Sequence, residues 1–427
     1  MIRYKQLRDI REGHEQGARD LRTARLGFLR ETFDILGLGC RSDGVPLIPT
    51  DERGLPRLKP GRARLNEFSI RELAESLMGH DFVEDYYHPS SGFEFRGLQE
   101  AAIDPSAMVN ISTFNLATAG LAQAEIMERF MNPAYIGRDL VRIVPTKKNG
   151  DKLIAVARMS SPTAAAKGRQ PGEAHAEVGF GEAWQTTPET VERALKCKFT
   201  REVVFFDLTG QVEEEAGAVG DELAYGQEKD IADMVLGVTA GYNRSGTANN
   251  TYQTSSPWIN DQANELADHT DIDNALSLFR AMTDPDSARE IMVTPNTIIV
   301  APDKEMLIGR VLNSTEVRET TNTNSVTISP NPLAGKQFTV KSSQIWFNRC
   351  TDAAGLNLSA ANAKLYWWIG DFQKAFEYRE NWPLTPWQAS ADELHMKDHG
   401  LIAVYGANYR GVPYPREPRQ VVRNKNA

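Results

Sequence analysis

The sequence predicts an α+β protein made of several packed units. One observation is a long run of apolar residues at helical spacing between residues 208 and 236. A second is the alternation of helical and strand patterns over residues 270–380, which is typical of a mixed helix and sheet domain. A third is size, because 427 residues with 41% hydrophobic and 25% charged side chains suffice for two or three packed units.

The first 64 residues are predicted to be separate from the rest of the chain. Residues 1–36 carry a helical pattern with a thin apolar face, so this helix is expected to need a partner. Repeated Gly and Pro in residues 37–60 interrupt regular structure and indicate a linker. A domain boundary near residue 65 follows.

Two helices are predicted between this boundary and the first strands. The stretch LNEFSIRELAESLMG is amphipathic, with Ser69 as the N-cap and Glu72 at the spacing of a capping box. A second helix is predicted near residues 116–131, where Asn132-Pro133 ends it.

Strand patterns dominate residues 140–206. Apolar residues on both sides of Asn149-Gly150 predict a tight hairpin, because this dipeptide suits the positive φ angles of such turns. Further on, Leu195, Cys197 and Phe199 alternate with polar residues, the period of a half-buried strand.

A stretch poor in large apolar side chains lies between these strands. It reads SSPTAAAKGRQPGEAHAEVGFGEAW and lacks the apolar groups needed for a core of its own. We therefore expect an arm that projects from the body and makes its contacts on another subunit.

The long helix follows the strands directly. Its apolar residues recur from Leu208, after Asp207 as N-cap, to Leu236, which makes a rod roughly 40 Å long. Gly217 and Gly220 lie three positions apart on one face, so we expect another backbone, a strand of the same domain, to pack closely there. The alternative is that both glycines are tolerated at the surface.

The chain after residue 236 is predicted to contain a polar loop followed by a mixed unit. The loop is GVTAGYNRSGTANNTYQT. The pattern predicts helices at DNALSLFRAM and DKEMLIGRVLN, and strands at TIIVAP, KQFTV and SQIWF. An aromatic segment, KLYWWIGDFQKAFEYRENW, and a further strand near the C-terminus complete the unit.

Charge and hydropathy narrow the choice of partners. The net charge is −9, and residues 1–64 carry a surplus of Lys and Arg, so the remaining chain is more acidic than the whole. Such a body is a poor platform for neutralising phosphates, which argues against direct DNA recognition. No stretch approaches the apolar length of a membrane span or a secretory signal, so we expect a protein that stays in the cytosol where it is made, without membrane contact.

Metal and catalytic signals are weak. His395 and His399 have the i, i+4 spacing of a zinc site, but the segment between them lacks the Glu that a metalloprotease uses as its base. The acidic cluster between Asp268 and Asp273 directly precedes a helix, where capping is the favoured interpretation. Cys40, Cys197 and Cys350 are scattered, without the pattern of a disulfide framework or a thiolate site.

Nucleotide and hydrolase signatures are also missing from the sequence. It contains no G-x-S-x-G elbow, and its glycine-rich loop follows a helix where a phosphate-binding loop precedes one. We therefore predict no catalytic, cofactor or metal site and no enzyme activity. A metal-dependent hydrolase built on the two histidines and the acidic cluster is the remote alternative.

The order of parts resembles that of tailed-bacteriophage major capsid proteins with the Hong Kong 97-like fold. The resemblance covers roughly residues 68–425 and is carried by several segments taken together. These are FSIRELAESLMG, IDPSAMVNISTFNL, GFGEAWQTTPETVERALKCKFTREVVFFDLTGQV, TAGYNRSGTANNTYQT and MVTPNTIIVAP. Encapsulins share this shell fold, so an encapsulin-like compartment is the alternative function.

The resemblance implies a division of the chain into named parts. These are a scaffold-like segment and linker (1–64), an N-arm with the start of the peripheral domain (65–144), an extended E-loop hairpin (145–195), the peripheral domain with its spine helix (196–240), an axial domain (241–390), and a peripheral strand with the C-terminal tail (391–427).

The resemblance also implies partners and contact residues. The subunit would self-assemble into the hexamers and pentamers of an icosahedral virion shell, enclosing double-stranded DNA without sequence-specific binding. Lys167, Arg169 and Glu173 in the E-loop are the implied inter-subunit contacts. The implied spine helix contains Gly217 and Gly220, the packing residues predicted above from their spacing. A portal, a scaffold or maturation protease, and decoration proteins are the further implied partners.

Overall fold

The computed structural model describes most residues from 122 onward, in several ranges, and a few N-terminal positions. These residues are 27, 30, 31, 33, 34, 39, 40, 46, 47, 122–132, 134–150, 152–159, 171, 180–200, 211–239, 241–284, 290–322, 325–333, 335–390 and 401–425.

The helices are labelled in chain order. They are α1 (122–130), α2 (Gly137–Leu140), α3 (Gln211–Leu236), α4 (His269–Arg280), α5 (Glu305–Asn313), α6 (Gln344–Thr351), α7 (Ala360–Ala363) and α8 (Phe372–Ala375). Short 3-10 turns occupy Pro302–Lys304 and Pro418–Gln420.

The strands are numbered in the same way. They are β1 (Gly39–Cys40), β2 (Pro46–Leu47), β3 (Arg142–Pro145), β4 (Lys152–Met159), β5 (Phe180–Thr186), β6 (Val191–Thr200), β7 (Tyr242–Arg244), β8 (Thr247–Asn249), β9 (Asp261–Ala263), β10 (Thr297–Val300), β11 (Glu316–Asn322), β12 (Ser325–Pro330), β13 (Thr339–Ser342), β14 (Trp367–Gly370), β15 (Phe376–Ser390), β16 (Leu401–Pro415) and β17 (Val421–Lys425).

The chain divides into two compact units, each made of three chain segments. The first unit comprises Met1–Asn132, Glu192–Tyr225 and Trp382–Arg410. The second comprises Pro133–Val191, Gly226–Asn381 and Gly411–Ala427. The division into six parts given above stays a prediction.

A five-stranded mixed sheet forms the centre of the second unit. Its strand order is β13-β10-β14-β17-β9, with parallel pairs at the two ends and antiparallel pairs between them. Successive side chains of a strand point to opposite faces, so each strand contributes to both sides of the sheet. The sheet is thus able to support a hydrophobic core on each face.

The two cores follow this alternation. Ile298, Val300 and Ile369 pack on one face with residues of α4. Ile299 and Trp368 pack on the other face with the end of α3 and with α6 and α8. The helix and sheet layers confirm the predicted α+β class.

A four-stranded sheet, β4-β5-β7-β8, belongs to the same unit. β4 and β5 pair antiparallel from Lys152 opposite Thr186 to Met159 opposite Phe180. The segment expected to be a polar loop contains the hairpin β7–β8, whose turn residues Ser245 and Gly246 both have positive φ. The loop prediction is corrected here, because a two-residue Ser-Gly turn with both φ angles positive closes a tight hairpin.

The first unit contains α1, residues 211–225 of α3 and the paired parts of β16 and β6. Phe130 of α1 contacts Tyr409 of β16, with ring centroids 6.0 Å apart. The predicted long helix is confirmed from Gln211 to Leu236, and Asp207 lies outside the described residues. The predicted helix near residues 116–131 is confirmed over 122–130.

Two further predictions are wrong. The strands around Asn149-Gly150 do not form a hairpin with each other, because β3 pairs in parallel with β15 while β4 pairs with β5. The predicted strand SQIWF is the start of helix α6, since Trp346, Arg349 and Cys350 are buried at helical spacing.

Within the described residues, no helix combines the length and apolar character needed to cross a membrane.

Candidate functional site

The predicted contact residues of the arm cannot be placed. Lys167, Arg169 and Glu173 lie outside the described residues, between β4 and β5. The two flanking strands form a regular antiparallel pair with one register shift, between Ala155 and Arg158. The pairing provides a base for the connecting segment, whose contacts stay a prediction.

Gly217 and Gly220 of α3 both face the helix α1. A Cβ atom on Gly220 would lie 2.2 Å from the carbonyl oxygen of Ile126, and one on Gly217 would lie 2.3 Å from Nε of Arg129. The neighbour is therefore a helix, where a strand was expected. Ile126 of α1 is buried at this contact. Because glycine has no side chain, the α1 backbone can lie directly against α3 at Gly220.

Glu228 is a buried carboxylate on α3. It accepts hydrogen bonds from the backbone N–H groups of Ile136 (3.1 Å) and Gly137 (2.8 Å) and from the indole N–H of Trp346 (2.6 Å). Burial raises the pKa of Glu228, and these three donors oppose the shift. The carboxylate joins three separate segments of the second unit.

Asp233, five residues further along α3, binds Arg349 of α6. The guanidinium donates from Nε to Oδ1 at 2.6 Å and from Nη2 to Oδ2 at 2.8 Å. Arg349 is buried and also donates to the carbonyl oxygen of Ala354 and to Asp352. This bidentate pair fixes α6 on α3.

The sequence contained a signal for one of these contacts. Between Leu223 and Ile231 the apolar stripe of α3 passes through Gln227 and Glu228, two polar residues at buried positions. A polar residue inside an apolar stripe indicates a specific buried partner. The partner itself could not be predicted, because Trp346 is far away in the sequence.

A second ionic cluster lies at one edge of the central sheet, where β17 pairs with β9. Asp261 of β9 accepts from Arg423 (2.8 Å) and Lys425 (2.8 Å) of β17. Arg423 also lies over the ring of Tyr252, 4.7 Å from its centroid. Burial alone would raise the pKa of Asp261, but the two cations hold it below its ordinary value.

The acidic cluster considered as a metal site caps α4. Asp268 accepts from the N–H of Thr270, and Asp271 accepts from the N–H groups of Ala267 and Asp268. The side chain of Asp268 also accepts from the backbone N–H of Asp271, which completes a capping box, and the predicted capping role of the cluster is confirmed. His395 and His399 lie outside the described residues, and in the described part no three His, Cys, Asp or Glu side chains are placed to hold a metal ion.

The cysteines have different surroundings. Burial raises the pKa of the Cys350 thiol to about 12, so it stays protonated at neutral pH. Cys197 of β6 is partly buried, and its thiol donates to the carbonyl oxygen of Tyr405. The side chain of Cys40 lies outside the described part of the structure.

Both units expose large apolar side chains. Met292 and Met306 of the second unit are 95% and 78% exposed, and Leu195 of the first unit is 43% exposed. Covering such groups releases about 25 cal/mol per Å² of apolar surface. They are therefore available for contacts with other protein chains.

Comparison with protein families gives one match of large extent. A family model described as phage capsid protein matches residues 184–424, more than half of the chain. The matched region begins in β5, includes α3, and covers the central sheet except for Lys425, the last residue of β17. The comparison with curated proteins gave no match.

Several solved structures are similar at low sequence identity. The capsid of a native GTA particle has 12% identity and a TM-score of 0.42, covering 69% of this chain and 90% of that one. The mature capsid of bacteriophage PhiM1 has 13% identity and a TM-score of 0.40, covering 68% and 86%. A virus-like particle from Pyrococcus furiosus has 9% identity and a TM-score of 0.36, covering 71% and 97%.

Proposed function

The chain belongs to the phage capsid protein family, and from this premise we propose that it is the major head-shell subunit of a tailed bacteriophage, located in the virion capsid. The match over residues 184–424 is the observation that carries the proposal. Copies of the subunit assemble into the pentamers and hexamers of an icosahedral head with the Hong Kong 97-like arrangement.

The parts of the chain have separate roles in this proposal. Residues 145–195 are the E-loop, and the segment between β4 and β5 contacts neighbouring subunits through Lys167, Arg169 and Glu173. Helix α3 is the spine of the peripheral domain, and the close contact at Gly220 keeps α1 against it. The buried bonds of Glu228 and Asp233 hold the second unit in one defined structure, which a shell of many identical contacts requires.

We also propose that the subunit catalyses no reaction. The acidic groups of the first turn of α4 already accept backbone hydrogen bonds, and the Cys350 thiol is kept protonated by burial. A shell needs many modest, repeated contacts and no reactive side chain.

The N-terminal segment and the acidic body suggest further partners. Residues 1–64, with their basic surplus, guide assembly by binding acidic surface or a scaffold protein, and a maturation protease is the candidate for their removal. The acidic body encloses DNA without binding it tightly, since affinity for DNA comes chiefly from Lys and Arg contacts with phosphates. A portal and decoration proteins complete the proposed set.

Electron microscopy of the overexpressed chain tests the proposal. We expect closed, regular shells of uniform size that sediment far faster than a single subunit. Removal of residues 1–64 is expected to give aberrant shells or none, whereas normal particles from this truncation would exclude a guiding role. Only small soluble species from the full-length chain, at concentrations where the subunit is folded, would contradict the shell function.

Co-expression with neighbouring genes separates the two kinds of shell. A phage head should incorporate a portal at one vertex and package DNA, while an encapsulin-like compartment forms complete shells without either. Shells that never accept a portal would contradict the viral role, but the conclusion that the chain forms shells would stand.

A further inference from the structure

The outer edge of β6 is a surface without an assigned role. β6 is the last strand of its sheet, next to β16, and no described strand lies on its other side. Residues 192–196 are all exposed, including the apolar side chain of Leu195. A long exposed edge strand is a template for pairing with another chain.

One face of β6 carries charged side chains of both signs. Glu192, Ala194, Lys196 and Lys198 share one face, because successive side chains alternate. Asn408 of β16 lies on this face and donates from Nδ2 to Oε1 of Glu192 at 2.8 Å. Thus the acidic residue is at the start of the strand and the basic residues are toward its end.

We propose that β6 pairs with β6 of a second copy, antiparallel, across a two-fold axis at Leu195. In this register Leu195 is opposite Leu195 of the second copy, and Glu192 is opposite Lys198 at both ends of the ladder. Opposite charges directly across an antiparallel pair are stabilising, and the exposed Leu195 side chains become buried against each other.

The distribution of charge favours a second copy in this orientation. A single strand supplies both halves of the ion pair, since Glu192 and Lys198 stand at opposite ends of the same exposed face. Antiparallel alignment brings unlike charges together, whereas parallel alignment would place Glu192 against Glu192. A shift that centres the axis on Ala194 would leave Leu195 opposite Arg193.

The proposal rests on the shell function and adds a defined contact to it. A two-fold pairing is isologous, so it joins only two subunits and closes. It therefore links two subunits directly, in contrast to the head-to-tail contacts that generate rings.

Disulfide trapping in assembled particles tests the register. Leu195→Cys and Ala194→Cys are each made in a Cys197→Ser background, and the particles are oxidised and run on a non-reducing gel. Directly opposite Cα atoms in an antiparallel pair are about 4.5–5.5 Å apart, within reach of a disulfide. We expect a dimer band of two chains for Leu195→Cys and much less for Ala194→Cys.

A charge exchange tests the same pairing without a new thiol. Glu192→Lys or Lys198→Glu alone places like charges at both ends of the ladder, so each should reduce the Leu195→Cys dimer several-fold. The double exchange should restore it. Asn408→Ala is the matched control, because it removes the bond to Glu192 within one chain and leaves the proposed pairing intact.

The other results overturn the proposal in distinguishable ways. Closed shells without a Leu195→Cys dimer, or with a dimer for Ala194→Cys alone, exclude this register and leave the shell function standing. Peptide mapping that joins position 195 to Cys40 would identify the N-terminal segment as the occupant of the edge. Absence of shells from the unaltered chain would overturn the shell function and, with it, the pairing.

Discussion

A Cβ atom on Gly220 of α3 would lie 2.2 Å from the carbonyl oxygen of Ile126 in α1. The obstructing atom belongs to the backbone, which cannot turn aside as the end of a flexible side chain can. We expect Gly220→Ala to lower the free energy of unfolding by about 1–3 kcal/mol, as overpacked sites do, despite the better helix propensity of Ala. Denaturant unfolding of the unassembled subunit measures this change.

Two other glycines provide matched controls. At Gly217 the obstructing group is the Arg129 side chain, so Gly217→Ala should cost less than Gly220→Ala. Gly309 of α5 has nothing within 4 Å of its Cβ position, and Gly309→Ala should stabilise by about 0.5–1 kcal/mol. The same unfolding midpoint for all three variants would exclude close packing at Gly220.

The sequence predicted those elements whose patterns are local. The run TIIV became a central strand because its side chains alternate between two cores, and α3 follows its apolar stripe. Strand pairing depends on contacts distant in the sequence, such as β3 with β15, so the hairpin expected at Asn149-Gly150 was wrong. The spacing of Gly217 and Gly220 likewise could not show which backbone lies beside α3.

The candidate site was predictable only in part for the same reason. The capping role of Asp268 depends on residues next to it, and the sequence predicted it correctly. The buried bonds of Glu228 and Asp233 depend on Trp346 and Arg349, which folding brings from far along the chain. No local pattern specifies such partners.

Asp261 should make stability sensitive to acid. Arg423 and Lys425 hold the pKa of Asp261 below its ordinary value. The stability that Asp261 contributes to the folded state is therefore fully present at pH values above the ordinary pKa and is lost as pH falls through the native pKa. Asp261→Asn should destabilise the subunit by roughly 2–4 kcal/mol at pH 7, because the cations lose a buried partner. Denaturant unfolding at several pH values should show a flatter acid limb for the variant.

The surface pair of Asp273 and Arg280 is the control for this prediction. Both side chains are mostly exposed, and exposed ion pairs contribute little. Asp273→Asn should therefore change stability by less than about 0.5 kcal/mol. An equal loss in the two Asn variants would show that the buried position of Asp261 has no special effect.

Glu228 should have the opposite pH dependence. Burial raises the pKa of Glu228. The stability that this shift gives the folded state is therefore fully present at pH values below the ordinary pKa and is lost as pH rises through the native pKa. Glu228→Gln lacks this titration, and the advantage of the unaltered protein over the variant should shrink as pH rises from acid to neutral. A difference in unfolding free energy that stays constant with pH would contradict the raised pKa.

Glu228→Ala separates the charge from the hydrogen bonds. This variant leaves the N–H groups of Ile136, Gly137 and Trp346 without their acceptor. Each buried donor without a partner costs about 1–3 kcal/mol, so the Ala variant should be less stable than the Gln variant at every pH. Equal stability of the two would show that water replaces the carboxylate.

We expect removal of the arm to leave the two strands that flank it, β4 and β5, undisturbed. Deleting Pro162 to Glu177 leaves Ser160, Ser161, Val178 and Gly179 between Met159 and Phe180, which are opposite each other in β4 and β5. A connection of this length is common in hairpins, so we expect a soluble, folded subunit with an unchanged unfolding midpoint. It should fail to form shells in electron microscopy, because the deletion removes the contacts with neighbouring subunits that we propose for the arm.

The triple variant Lys167→Ala, Arg169→Ala and Glu173→Ala keeps the full arm and should reduce shell yield less than the deletion. An unfolded deletion variant would place the arm in the core of its own subunit, and normal shells would show that assembly proceeds without it.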